Sequence, residues 1–463
     1  MKKYSLTFFS AAILMSLICN LYAADKIYDI SGKRELMIDD FLIAEKHDLV
    51  FKQHSPVELP CAPNKPIGHY NVIVQKPDGT FFYYFRGNNG TFKGKAYNNH
   101  PGEYVGIAAS PDGIKWDLPQ LNLFQNKQVP ANTIIYGPGT ITHNLAPFYD
   151  TNPACVPDER YKAVAGTKET GGLFIFSSPD GIKWKKIQEK PVMKYEPEKF
   201  GGHMLDSLNI VFYSEIEKCY VMYVRVWKTA DGLNGIRTFA KSTSKDFRNW
   251  STPEFLKVNR KGEHLYISGL VPYKRAPHYY IGVATRYFEE RGSATDNVLV
   301  FSRNGKGIIR PSFAAWINPG LDKSRWLNRM NYITCGIIQE NPENMLLYHN
   351  RKNLMYRIRT DGFVSLHAGI KTGTFLTKVL QCGRNELEFN VATSAGGAFQ
   401  VEICDEKGNP IPGYTFADMK VFYGDEISFI PDWNGKKFSS LSAKKFRMRI
   451  RMRECDLYSI AFK

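Results

Sequence analysis

The sequence of 463 residues predicts an all-β chain, a five-bladed β-propeller followed by a C-terminal β-sandwich. Three observations carry that reading. A Ser-Pro-Asp-Gly-Ile-Lys-Trp segment occurs at Ser110–Trp116 and again at Ser178–Trp184, and Ser244–Trp250 repeats its frame. Strand-like runs precede each copy, and no run of ten or more residues keeps a helical period. Aromatic residues make up 14% of the chain, with 26 Tyr and 30 Phe, which favours strands.

Taken in order, Met1-Lys2-Lys3, an apolar run from Leu6 to Ile18 and Leu21-Tyr22-Ala23-Ala24 have the layout of a secretory signal peptide over residues 1–24. The run is too short to span a bilayer, and no later stretch approaches the roughly 20 apolar residues of a membrane helix. A soluble protein, periplasmic or secreted, is expected. Anchoring through Cys19 is the alternative, opposed by Ile18 where a small residue belongs.

The propeller is expected over residues 25–370. Each turn motif closes a strand: Tyr104 to Ala109, Leu173 to Ser177, Thr238 to Lys241 and, before the weaker turns at Ser302 and Arg359, Val298 to Phe301 and Leu354 to Ile358. The Asp-Gly pair supplies a tight turn and the Trp folds back over the neighbouring strand. A second strand precedes each of these: Phe81 to Arg86, Tyr161 to Ala165, Tyr220 to Val226, Tyr279 to Thr285 and Met345 to His349. First strands begin the units at His69–Val74, His143–Phe148, Ser207–Phe212, Ser268–Tyr273 and Met330–Thr334. Steps of 73, 65, 59 and 63 residues separate Asn71, Asn144, Asn209, Ser268 and Asn331, long enough for four-stranded blades. From about Thr372 the repeat gives way to short strands such as Glu386 to Val391, Phe399 to Ile403, Glu426 to Ile430, Phe446 to Met452 and Tyr458 to Phe462. Residues 371–463 therefore read as a jelly-roll-like β-sandwich, an accessory to the propeller.

A net charge of +16 suits an acidic partner such as a sulfated or uronic-acid glycan, or is merely a basic surface. Nucleic acid is a poor choice for an exported protein. Beyond Cys19, seven cysteines lie scattered with no CxxC or zinc-type cluster, so neither a metal site nor a dense disulfide framework is indicated. No cofactor is implied, and nothing indicates a central cation.

In a propeller the first strands line one central channel, so polar residues there converge. His69 and Asn71, His143, Asn144 and Asp150, His203, Asp206 and Asn209, Glu263, His264 and Tyr266, and Arg329 and Asn331 stand around them. Three carboxylates recur at nearly equivalent places, Asp150, Asp206 and Glu263. Cleavage of a glycosidic bond uses one protonated and one ionised carboxyl group, and a third can orient the acid. Two have a duller reading, Asp150 as the cap of a turn and Glu263 as the partner of Arg260 and Lys261, while Asp206 precedes a strand with no turn demand. Arg86, Arg225, Arg275, Arg286 and Arg329 lie in or beside strands and need carboxylate partners or an anionic ligand. Pairing serves for most; an anionic sugar is the sharper reading for Arg275, Arg286 and Arg329.

Leu36-Met-Ile-Asp-Asp-Phe-Leu-Ile43, the Asp-Gly-Ile-Lys-Trp repeats, His143-Asn-Leu-Ala-Pro-Phe-Tyr-Asp-Thr-Asn-Pro153 and Arg325-Trp-Leu-Asn-Arg-Met-Asn-Tyr332 resemble a group of exported bacterial proteins. That group is related to the five-bladed glycoside hydrolases of families 32, 43 and 68. The resemblance implies Glu263 as general acid and Asp150 or Asp206 as base or orienting residue. The chain departs from those enzymes in its first blade, where His69-Tyr-Asn offers no Asp, and Glu58 lies in a Pro-flanked segment. Sialidases share the turn motif and use an arginine triad with a Tyr nucleophile, which Arg275, Arg286, Arg329 and Tyr266 or Tyr332 could imitate, but they have six blades. The leading expectation is a glycoside hydrolase acting on an oligo- or polysaccharide; a non-catalytic glycan-binding propeller is the alternative, and a sialidase-like hydrolase the third.

Overall fold

The computed structural model describes residues 26–61, 64–91, 102–125, 127–137, 142–383 and 386–463. The signal-peptide reading lies outside these residues. Strands dominate; among the described residues the only α-helical turn is Pro197–Phe200.

Five separate antiparallel sheets make up the unit Gln53–Val364, in chain order. The first blade joins His69–Gln75, Phe81–Asn88, Glu103–Ser110 and Thr133–Tyr136, the second is built on Ala146–Tyr149, Tyr161–Thr167 and Gly172–Ser178, and the third on Ile210–Ser214, Cys219–Lys228 and Asn234–Ser244. Val271–Tyr273, Ala276–Phe288 and Ala294–Arg303 form the fourth. In the fifth, Ile338–Gln339, Asn344–Tyr348 and Leu354–Arg359 take their outer strand from far upstream: Val57–Pro60 pairs with Leu354–Arg357, Tyr356 opposite Glu58. A strand borrowed from the start of the ring closes it. Between the inner strands of the first and last blades, Val72 bridges Cys335.

The turn motifs explain themselves locally. Asp112 accepts from the amides of Ile114 and Lys115 at 2.8 and 2.9 Å while Ser110 Oγ accepts from the Gly113 amide at 2.8 Å; the same bonds recur around Asp180. Trp116 is buried edge-on against Tyr83. Tyr84 of the first blade donates to the carbonyl of Gly181 in the second at 3.0 Å, and Tyr348 of the fifth to that of Gly113 in the first. Each turn is thus also a seam between blades.

The inner strands begin later than their sequence suggests. The inner strands proper start at Ala146, Ile210 and Ile338 rather than at His143, Ser207 and Met330, and in the fourth blade the inner edge is split, His264–Leu265 pairing with Arg286–Tyr287 before the ladder resumes at Val271. The displaced residues form a bend with left-handed backbone at Asn144 (φ 58°), Leu205 (65°), Gly269 (63°) and Arg329 (53°), and Tyr70 (51°) has the same conformation in the first blade. Such a φ is rare for Tyr or Leu and leaves the extended ladder. The recurring asparagines of this bend are structural. Asn209 donates to the carbonyls of Leu205 and Ser207 and accepts from the Arg225 amide, while Asn71 reaches Tyr83 and the Asn350 carbonyl.

The second unit combines Met1–Lys52 with Ser365–Lys463, so residues 26–52 group with the C-terminal unit and not with the propeller to which the sequence reading assigned them. Its strands Leu387–Cys404 and Lys445–Phe462 pair over their length, and Arg34–Leu36 joins them. Phe375, Phe389, Phe399, Val401, Ile450 and Trp433 form its core. The buried pair Arg34–Glu388 ties the N-terminal segment to this sheet.

Candidate functional site

The left-handed bends bring side chains of several blades together at the N-terminal ends of the inner strands. Tyr332 of the fifth blade lies between Tyr70 of the first and Tyr266 of the fourth, ring centroids 6.0 and 5.7 Å apart. Arginines cover these rings: Arg86 lies 4.9 Å above Tyr70 and Arg225 4.5 Å above Tyr266, while Arg237 sits 4.1 Å from the ring of Tyr287 beside it. Guanidinium groups stack well on aromatic faces, and the rings shield them from water. Burial, then Tyr266 and Asp206, holds the Tyr70 hydroxyl well above its ordinary value, so it stays protonated. Tyr332 shifts the same way, by burial and then Tyr266 and Tyr70.

Of the three carboxylates expected for chemistry, the structure leaves one unclamped. Asp150 is fully buried at the far end of its inner strand, bound by Lys162 Nζ at 2.6 Å, the Tyr220 hydroxyl at 2.8 Å and the Asn152 amide. Glu263 takes both nitrogens of the Arg310 fork and the Arg260 amide. The duller reading therefore describes both, with Arg310 in place of Arg260 and Lys261 as the cation at Glu263. Asp206 is half-buried, and no hydrogen bond or ion pair holds its carboxylate among the described residues. Its backbone carbonyl accepts from Arg225 at 2.9 Å, which fixes the bend. The Asp206 carboxylate lies within electrostatic reach of Tyr70 and His203.

The histidines divide as well. His143 is buried and bonds Glu103 at 2.8 Å, with Arg86 reaching Glu103 at 3.4 Å and Asn144 at 2.8 Å. His203 stands edge-on to Trp227 at 4.3 Å, its imidazole pulled below the ordinary value by burial and then Lys168. His264 accepts from the Arg237 amide and guanidinium and is lowered by burial and then Arg237. His69 is half-buried and opposite Arg86 in the ladder. Asn331 is a structural hub, accepting from Arg325 at 3.0 Å.

The arginines singled out for an anionic sugar part company. Arg275 is held by Asp361 at 3.1 Å and Arg286 by Asp296 through two bonds of 2.6 and 2.7 Å, so both are structural. Arg329 alone of the three faces the tyrosine cluster, its Nη1 3.5 Å from the Tyr266 hydroxyl. Tyr70, Glu103, Trp227, Arg237 and Arg351 are members of this site that sequence reasoning missed. Tyr70 was within reach, as the middle residue of His69-Tyr-Asn; the others sit on second and third strands or connecting turns, outside the first-strand rule. Among the described residues no cluster of His, Cys, Asp and Glu could hold a metal ion, and no helix is long and apolar enough to cross a membrane.

The sequence matches no protein-family model and no curated protein. Solved structures that align with the chain include the β-1,2-mannobiose phosphorylase of Listeria innocua in complex with β-1,2-mannobiose, at 14% identity, 68% of this chain, 97% of that chain and a TM-score of 0.44. The GH32 β-fructofuranosidase of Bombyx mori aligns at 10% identity over 88% of this chain and 94% of its own, with a TM-score of 0.38. A glycosyl hydrolase from Bacteroides ovatus aligns at 11% over 71% and 96%, with a TM-score of 0.39.

Proposed function

We propose that this protein acts on the glycosidic bond of an oligo- or polysaccharide held in the propeller funnel, with Asp206 as the ionised carboxylate of the reaction. The observation that carries the reading is that Asp206 is the one expected carboxylate without a cation clamp among the described residues, and it lies within electrostatic reach of Tyr70 and His203. Glycosidic cleavage also needs a proton donor. Asp150 and Glu263 are poorly suited to that part, since each carboxyl is already occupied in an ion pair, with Lys162 and Arg310. We assign the donor to the Tyr70 hydroxyl, which stays protonated and lies within electrostatic reach of Asp206.

The test is release of reducing sugar from a panel of neutral, uronic-acid and sulfated glycans. Asp206→Asn and Tyr70→Phe should each lower turnover by about 10²–10⁴-fold while the fold and saccharide binding persist. Full turnover in Asp206→Asn would end the reading. The alternative, a glycan-binding propeller without catalysis, is favoured by the lone unclamped carboxylate. It is identified by a wild type that binds a glycan, releases nothing from it, and binds less well as Asp206→Asn.

A further inference from the structure

The arginines of the propeller are mostly neutralised by carboxylates, as with Arg286 on Asp296, Arg310 on Glu263 and Arg325 on Glu58. Three beside the tyrosine cluster are not. Among the described residues, Arg225, Arg329 and Arg351 have no ion pair. Arg225 is 3% exposed, and its Nε has no hydrogen-bond partner there. Arg329 uses its Nε on Asn328 Oδ1 at 2.9 Å and approaches the Tyr266 hydroxyl with Nη1. Arg351 is lowered by burial, and the like charge of Arg329 lowers it further. Tyr332 lies within electrostatic reach of all three. Its ring is 3% exposed, and its hydroxyl has no hydrogen-bond partner among the described residues.

A buried hydroxyl and a buried guanidinium nitrogen without acceptors each cost stability, and clustered like charges add to the cost. An oxyanion beside the Tyr332 hydroxyl would accept its unused hydrogen and balance the three guanidinium groups. Asp206 opposes an anion with one negative charge against three unpaired positive ones. Arg86 and Arg237 do not change the balance, because Glu103 and Glu289 neutralise them.

We propose that Arg225, Arg329, Arg351 and the Tyr332 hydroxyl form a subsite for the oxyanion of an acidic sugar, a carboxylate or a sulfate ester. This deepens the glycan-acting reading by naming its substrate class and rests on it. Direct binding of glucuronic acid, glucose 6-sulfate and glucose to the protein, followed by NMR saturation transfer and thermal shift, tests the subsite without requiring turnover. At least one acidic sugar should bind about ten- to hundredfold more tightly than glucose, with affinity falling as salt rises. Which acidic sugar binds separates carboxylate from sulfate recognition. Arg329→Gln, at the exposed rim, should remove most of that preference. Tyr332→Phe should weaken the acidic sugar while leaving the melting temperature unchanged or slightly higher, since it removes an unsatisfied hydroxyl; a purely structural tyrosine would lower it. Equal affinity for all three sugars, no binding of either acidic sugar, or an unchanged preference in Arg329→Gln overturns the proposal. Failure of the glycan-acting reading looks different: the acidic sugar binds, and no glycan is cleaved.

Discussion

Asp150, Asp206 and Glu263 are the same chemical group at similar places in the repeat, and their partners give them different roles. At Asp150 the buried Lys162 makes the carboxylate half of an ion pair, 0% and 3% exposed. Asp150→Asn removes the short ion pair of the buried Lys162 and leaves it only the distant Glu159 carboxylate at 3.9 Å, so it should cost about 3–5 kcal/mol in urea denaturation. The folded fraction should keep its turnover, because the pair lies away from the tyrosine cluster. His349 supplies a pH prediction. Its Nδ1 accepts from the amides of Arg351 and Lys352, so Nε2 carries the proton and donates to Asn331. Burial, then Arg325, holds the imidazole down at about 2. Unfolded chains protonate near pH 6.5 while the folded protein does not. Stability should therefore be insensitive to this group above pH 6.5 and fall as the pH drops from there toward 2. Urea midpoints at pH 7, 5 and 4 should decline for the wild type and decline less for His349→Gln.

Among the elements, the Asp-Gly turn is the one the sequence displays in full. Its bonds join residues at most three apart, so the order Ser-Pro-Asp-Gly is sufficient to specify it. Asp180→Ala should cost about 1–3 kcal/mol by freeing the amides of Ile182 and Lys183, measured by thermal or urea unfolding. Gly113→Ala should be worse than Asp180→Ala. Its backbone is left-handed at φ 74°, and a Cβ would meet Ile338 of the fifth blade at 2.8 Å. The inner strands were less legible. Their alternating residues continue upstream into the bends, and nothing in a Tyr or a Leu announces a positive φ. That conformation is imposed by bonds from elsewhere, such as the Leu205 amide on the Arg225 carbonyl.

In the propeller as a whole, stability depends on closing the ring with Val57–Pro60, which the sequence reading left without a place in any blade. Arg325, 1% exposed, anchors this seam through Glu58, Tyr356, Asn331 and the Asn318 carbonyl. Arg325→Met should release the closing strand. Hydrogen exchange should accelerate across residues 57–60 and 354–359 before the other blades respond. Unchanged protection there would show that the closing strand holds without this anchor. By itself the sequence determined the all-β class, the five units and their turns, because alternation and local side-chain bonds act over a few residues. Only the tertiary structure decided which carboxylates and arginines are neutralised and which lie beside the tyrosine cluster without an ion pair. Charge pairing joins residues tens to hundreds of positions apart, as Arg325 and Glu58 are, and the free energy of an ionised side chain depends on those partners rather than on its neighbours in the chain.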